Sequence, residues 1–77
     1  MDAIPESELQ RLYRAINAAI HLAWNGRVGE GFRTLLDGRR RAEWLAAEEA
    51  PWAEDLARRY RNAAACFAER YGERLLG

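Results

Sequence analysis

Apolar residues recur at spacings of three and four along almost the whole chain, and the pattern divides into three runs. In the first, Leu9, Leu12, Tyr13, Ile16, Ala19, Ile20, Ala23 and Trp24 fall on one side of a helix that turns ~100° per residue. Ser7 opens this run, and Gln10 stands three residues on, where a capping box places its second member. Asn25-Gly26-Arg27 closes it, with Gly26 able to take the positive φ of a helix terminus. In the second run Val28, Phe32, Leu35, Ala42 and Ala46 form a line that also carries Arg39. Gly29, Gly31 and Gly38 each cost about 1 kcal/mol relative to alanine in a helix interior. Gly31 and Gly38 suit the close approach of a neighbouring helix, while Asp37-Gly38 also suits a break into two short helices. The third run reads Trp52, Leu56, Tyr60, Ala63, Phe67 and Tyr71, with Gly72 as its stop. Pro51 marks its start, because proline is tolerated in a first turn and not in a helix interior. Glu54 and Asp55 follow where the helix dipole favours acid.

The runs predict an all-α fold, an antiparallel three-helix up-down-up bundle with helices over about 7–25, 28–50 and 51–72. Short connections force neighbouring helices to run antiparallel. Residues 1–6 precede the cap and are expected to be disordered. The 77 residues make one domain, because a chain this short cannot close two cores. Only five residues are β-branched (Ile4, Ile16, Ile20, Val28 and Thr34), which leaves helix the favoured state nearly everywhere.

Length and charge narrow the function classes. Apolar burial and ordering entropy nearly cancel at this size, so oligomerisation is a ready source of additional stability. Cys66 is the one cysteine and His21 the one histidine, so neither an intrachain disulfide nor a zinc site is expected, and no cofactor is implied. The segment Met1 to Leu9 is acidic and has no apolar stretch of signal-peptide type. No run approaches the ~18 apolar residues of a membrane span. A reducing, cytoplasmic setting is the expectation. Twelve basic residues balance twelve acidic ones, and every basic residue is arginine. Guanidinium forks pair with carboxylates and stack on aromatic rings in ways ammonium does not.

The segment from Asn25 to Arg39, NGRVGEGFRTLLDGR, resembles the turn and second helix of a tetratricopeptide repeat. Gly26 and Val28 match the turn, Gly31 and Gly38 the small positions, and Leu35 the large one. Ala19 and Leu22 match the small and aromatic-type positions of the preceding helix, so the likeness covers one partial repeat over residues 15–39. The resemblance implies a helical hairpin of similar packing and a protein-binding role.

Candidate chemistry is sparse. His21 projects roughly 130° from the middle of the first stripe, with no serine or cysteine near it in sequence to activate, so a surface histidine is expected. Cys66, in NAAACFAERY, reads as a small buried hydrophobe. The carboxylate pairs Glu48-Glu49 and Glu54-Asp55 diverge by ~100° on a helix and make no metal cage. GRVGEG lacks the preceding strand and the lysine of a phosphate-binding loop. The chain therefore reads as non-enzymatic, with no small-molecule substrate inferred.

Arg39, Arg40 and Arg41 point in three directions at ~100° intervals. Each has acid within helical reach: Asp37 for Arg40 and Arg41, and Glu43 for Arg39 and Arg40. Arg58 is expected to pair with Glu54 or Asp55, and Arg59 with Asp55. Trp44 projects roughly 160° from the second stripe, which exposes it unless a kink at Gly38 rotates it inward; both outcomes stay open.

The reading favoured by the sequence is a protein-protein interaction or self-association module, a dimer being favoured and another protein the alternative partner. Trp24, Arg39, Arg40, Trp44 and Trp52 are its candidate contact residues, since exposed tryptophan and arginine are enriched at binding hot spots. The second reading is a nucleic-acid-associated protein using Arg33, Arg40, Arg41, Arg58 and Arg61. Zero net charge and local pairing weigh against it, because phosphate binding shows as clustered excess charge.

Overall fold

A computed structural model describes residues 7–48 and 50–76, and the expectation for residues 1–6 lies outside them. Helix α1 spans Glu8–Trp24, α2 Val28–Glu48 and α3 Ala53–Leu76. No strand occurs among the described residues. The three helices form an up-down-up bundle in which α2 is central and the parallel helices α1 and α3 both lie against it. By its Cα atoms the molecule measures 43 × 33 × 13 Å, a slab.

The first connection is built by its sequence. Ser7 is the N-cap of α1, and its hydroxyl accepts from the Gln10 amide at 3.2 Å. At the other end Gly26 takes φ +85°. Its amide donates to Ala23 at 3.0 Å while the Arg27 amide reaches back to Leu22 at 2.8 Å. These two bonds are a Schellman closure, which turns the chain within three residues and gives the Leu22 and Ala23 carbonyls partners.

Helix α2 runs unbroken through Gly38. Its buried line is Val28, Gly31, Leu35, Gly38, Ala42 and Leu45, rotated from the expected line toward the two glycines. The rotation follows from the helix contacts: a Cβ at Gly31 would lie 2.7 Å from the Ala19 carbonyl of α1, and one at Gly38 would overlap the ring of Tyr60 from α3. The helices therefore come closest where α2 has no side chain. Arg39 leaves the core line and is exposed on its flank.

The third element departs from expectation at both ends. Pro51 and Trp52 form a turn ahead of α3, with the Ala53 amide donating to Ala50 at 2.9 Å and the Glu54 amide to Pro51 at 3.1 Å. Trp52 accordingly lies off the buried stripe and is 49% exposed. Gly72 does not stop the helix, which continues to Leu76. A glycine lowers helix propensity by about 1 kcal/mol, and that penalty is too small to end a helix whose flanking residues Tyr71 and Leu75 pack on the core.

Tyr60, Leu35 and Leu56 are the largest fully buried side chains. Burying each contributes about 1.5–3 kcal/mol. Ala19, Ala23, Ala42, Ala57 and Ala64 fill the spaces between them, with Phe67 at the upper end. A smaller cluster of Leu45, Ala50 and Ala53 closes the lower end beneath Leu12.

Candidate functional site: a cleft between helices α1 and α3

Helices α1 and α3 run side by side but meet over only part of their length. At their N-terminal ends they are joined by polar contacts. Tyr60 donates its hydroxyl to the Leu12 carbonyl, and Tyr13 donates to Asp55 Oδ2 at 3.3 Å. Asp55 is also held by Arg58 and by Arg59, the latter at 2.8 Å, and the Arg59 guanidinium lies 5.7 Å from the centre of the Tyr13 ring. The hydrogen bond from Arg59 is the largest reason the Asp55 carboxyl titrates below the usual carboxylate range. Burial pushes the Tyr60 phenol up to about 12.

Toward the C-terminal ends the two helices part. The opening is a cleft of about 200 Å³ lined by Ile20 and Trp24 from α1 and by Ala63, Cys66, Phe67, Arg70 and Tyr71 from α3, with Leu35 of α2 as its floor. Trp24 stands at its edge, 65% exposed, its ring centre 5.1 Å from that of His21 in a T-shaped contact. Phe67 is sandwiched between Phe32 at 5.8 Å and Tyr71 at 4.8 Å, which fixes the aromatic wall of the cleft. Aromatic pairs at these separations are worth about 0.5–1.5 kcal/mol beyond the area they bury. A wetter hollow of about 450 Å³ lies lower on the same two helices, lined by Tyr13, Arg14, Ile16, Asn17, Arg59 and Asn62.

Cys66 is exposed in this cleft rather than buried. Ala64 and Phe67 occupy the face of α3 that α2 covers, and Cys66 is turned toward the side that α1 leaves open. No group of three histidine, cysteine or carboxylate side chains among the described residues is arranged to hold a metal ion.

The five contact residues expected from sequence are not brought together. Trp24 edges the cleft. Trp44 is 46% exposed on α2, with the Arg41 guanidinium 4.8 Å from its ring centre. Trp52 lies in the α2–α3 turn, at the end of the bundle opposite Trp24. Arg39 is paired with Glu43 at 2.9 Å, as the spacing predicts, and Arg40 is exposed beside them.

Three further arginines are engaged in the same way. Arg41 reaches across to Glu8 of α1, donating to Oε1 at 2.9 Å and also to Oε2. That hydrogen-bonded pair is the main reason the Glu8 carboxyl titrates below its ordinary value. Arg61 approaches Glu43 at 3.8 Å, and Arg27 meets Glu30 at 2.7 Å. These pairs are solvent-exposed and screened by water, so each adds little to stability.

Sequence reasoning missed Ile20, Ala63, Cys66, Phe67, Arg70 and Tyr71 as one lining set. A signal was present in α1, whose apolar stripe holds two parallel rows. Ala19 and Ala23 face α2 and are buried, whereas Ile20 and Trp24, the next row around, are exposed.

Compared with protein-family models, with curated proteins and with solved structures, the chain matches none. Among the described residues no helix is long and apolar enough to cross a membrane.

Proposed function

We propose that the protein is a non-catalytic protein-protein interaction module that docks another polypeptide in the cleft between α1 and α3. The observation that carries this reading is the upper cleft itself: Ile20 and Trp24 stay exposed beside an aromatic wall that is otherwise well packed. Contiguous apolar surface of this kind on a small protein marks a place where another molecule sits. The helical hairpin resembling a tetratricopeptide repeat supports the same reading, since such units present their helices to other proteins. A cytoplasmic setting belongs to the proposal, in keeping with a lone thiol at the site.

The test compares the wild-type chain with the double variant Ile20→Gln/Trp24→Gln. The variant is expected to keep its helical circular dichroism and to melt within a few degrees of wild type, because neither side chain is in the core. Sedimentation equilibrium on both chains then reports whether a second copy uses the cleft. A wild-type dimer dispersed by the variant is self-association through it, and a monomer leaves a different protein as the partner. A collapse in melting temperature would assign both residues to folding and remove the reading. So would a wild-type dimer that the variant leaves intact.

A further inference from the structure

We infer that the upper cleft is filled by a second copy of this chain, in an isologous dimer whose two-fold axis runs along the cleft and sets α1 of each copy against α3 of the other. This rests on the interaction reading above and names the partner.

The size of the cleft sets what enters it. Its α3 wall runs from Ala63 to Tyr71, eight steps of a helix and so about 12 Å long. Below it the hydrogen bonds of Tyr60 and Tyr13 close the seam, so a long helix finds no continuous seat there. A wall of this length takes two side chains set one helical turn apart, a separation of about 6 Å along the axis for residues i and i+4. The cleft volume is about 200 Å³. An apolar cavity of about 150 Å³ already holds a benzene ring, so one of the two side chains is free to be aromatic. The chain itself presents such a pair. Ile20 and Trp24 stand one turn apart on α1, both exposed, at the edge of the same cleft. Knob and hole thus share one face, which is what a self-complementary two-fold interface requires.

The two walls also suit each other chemically. Across the cleft from Trp24, Arg70 is exposed on α3. Among the described residues no carboxylate pairs with it, and its guanidinium lies 5.8 Å from the ring centre of Tyr71. Arginine takes the face of a tryptophan as a partner, and the chain makes this contact once already, between Arg41 and Trp44 at 4.8 Å. Exchange of the walls by the two-fold brings Trp24 of each copy to Arg70 of the other, so the same contact forms twice. The two Arg70 side chains then lie on opposite sides of the axis, each against an aromatic ring. Tryptophan and arginine are the residue types enriched at binding hot spots. A chain of 77 residues gains from the apolar burial that a second copy adds to its small core.

The test is sedimentation equilibrium on the full chain over a wide concentration range, with Trp24→Ala, Arg70→Ala and an equimolar mixture of the two variants. The wild type is expected to dimerise. Each variant alone loses both Trp24 to Arg70 contacts, and its dissociation constant is expected to rise by about tenfold or more. In the mixture a Trp24→Ala chain, which keeps Arg70, meets an Arg70→Ala chain, which keeps Trp24, and one of the two contacts survives. The mixture is therefore expected to show a higher average mass than either variant alone at the same total concentration. Circular dichroism is expected to show unchanged helicity, both side chains being exposed. Maleimide modification of wild-type Cys66 is expected to slow as the dimer forms, because Cys66 lines the filled cleft.

A wild type that stays monomeric at every concentration overturns the inference and keeps the cleft as the seat of a different protein. A dimer weakened by Trp24→Ala and not by Arg70→Ala, or variants whose mixture associates no better than each alone, overturns the exchange of walls and keeps the interaction reading. Loss of helicity in Trp24→Ala assigns Trp24 to folding and removes the knob. A dimer that neither variant weakens, with Cys66 modified at one rate throughout, uses another face and removes both the inference and the reading beneath it.

Discussion

The two ends of the α1–α3 seam are made of similar residues and behave differently. At the lower end Tyr60 passes between the helices and bonds to the Leu12 carbonyl, and Tyr13, Asp55 and Arg59 form a chain of polar contacts across the surface. At the upper end Tyr71 and Phe67 stack on each other, and no polar contact from either draws α1 inward among the described residues. The lower seam closes because its aromatic side chains have hydroxyls with partners on the opposite helix. The upper seam stays open because its aromatic residues find their partners on their own helix and on α2. Apolar surface alone has not brought α1 and α3 together there, and the uncovered surface is the cleft.

Breaking the closed end gives the largest expected effect. Gly38→Ala places a methyl into the ring of Tyr60, which is fully buried. Overpacking of this kind costs about 1–3 kcal/mol. Set against an alanine helix-propensity gain of about 1 kcal/mol, the overlap with a whole ring puts the net loss at up to about 2 kcal/mol. Chemical denaturation is the measurement, and an unchanged or raised midpoint would refute the wedge geometry.

Tyr60→Phe is next in size. It strips the hydroxyl and leaves the Leu12 carbonyl without that donor, at a cost of about 1 kcal/mol near neutral pH. It also removes a pH dependence. The phenol titrates at about 12 in the folded chain and near its ordinary value of 10.0 when unfolded. Below pH 10 the stabilisation that this proton provides is complete. Between 10 and about 12 the unfolded chain ionises first, so stability falls as pH rises through that window. At about 1.4 kcal/mol per pKa unit, the wild type loses on the order of 2–3 kcal/mol there. The phenylalanine variant is expected to show a distinctly shallower alkaline limb in denaturation midpoints taken from pH 9 to 12.

Gly72→Ala sharpens the contrast in the opposite direction. A Cβ there meets nothing within 4 Å, so the variant is expected to gain up to about 1 kcal/mol. Loss of stability would mean that Gly72 makes a close contact.

Trp24→Ala is expected to change stability by no more than about 0.5 kcal/mol, given an exposure of 65%, while weakening whatever binds in the cleft. A midpoint shift larger than that, by urea titration, would place Trp24 in the core.

The smallest effect is at acid pH. The Asp55 and Glu8 carboxyls are held below their ordinary values of 3.8 and 4.5, chiefly by hydrogen bonds from Arg59 and Arg41. The stability they contribute is present above those ordinary values and is lost as pH falls through the folded ones. Asp55→Asn is expected to flatten the acid limb slightly, as read from midpoints between pH 5 and 2.

The difference between the two ends also separates what the sequence discloses from what it does not. The Ser7 cap, the Gly26 turn and the paired role of Gly31 and Gly38 are local chemistry, and each stands where its residues indicate. The exposure of Cys66, Ile20 and Trp24 is not local. A periodic stripe says that one face of a helix is apolar, but whether another helix covers that face depends on the splay of α1 from α3. That splay depends on close approaches distant in sequence from those residues of α1, at Gly31 and Gly38 of α2 and at Tyr60 of α3. The same limit explains α3: the propensity penalty at Gly72 is visible in sequence, while the packing of Tyr71 and Leu75 that outweighs it is not.

The central position of α2 bears on how quickly the chain finds its structure. Each helix packs chiefly on its neighbour in sequence, and the connections are short, from Trp24 to Val28 and from Glu48 to Ala53. Little chain entropy is lost in closing such loops. Bundles with contacts this local belong to the fast-folding class, in microseconds to milliseconds. The Tyr60 bond to Leu12 spans 48 residues, the longest loop closed by the hydrogen-bonded contacts of the seam. It is therefore placed to form late, after the two hairpins, and a φ-value near zero at Tyr60 is the kinetic mark of that order.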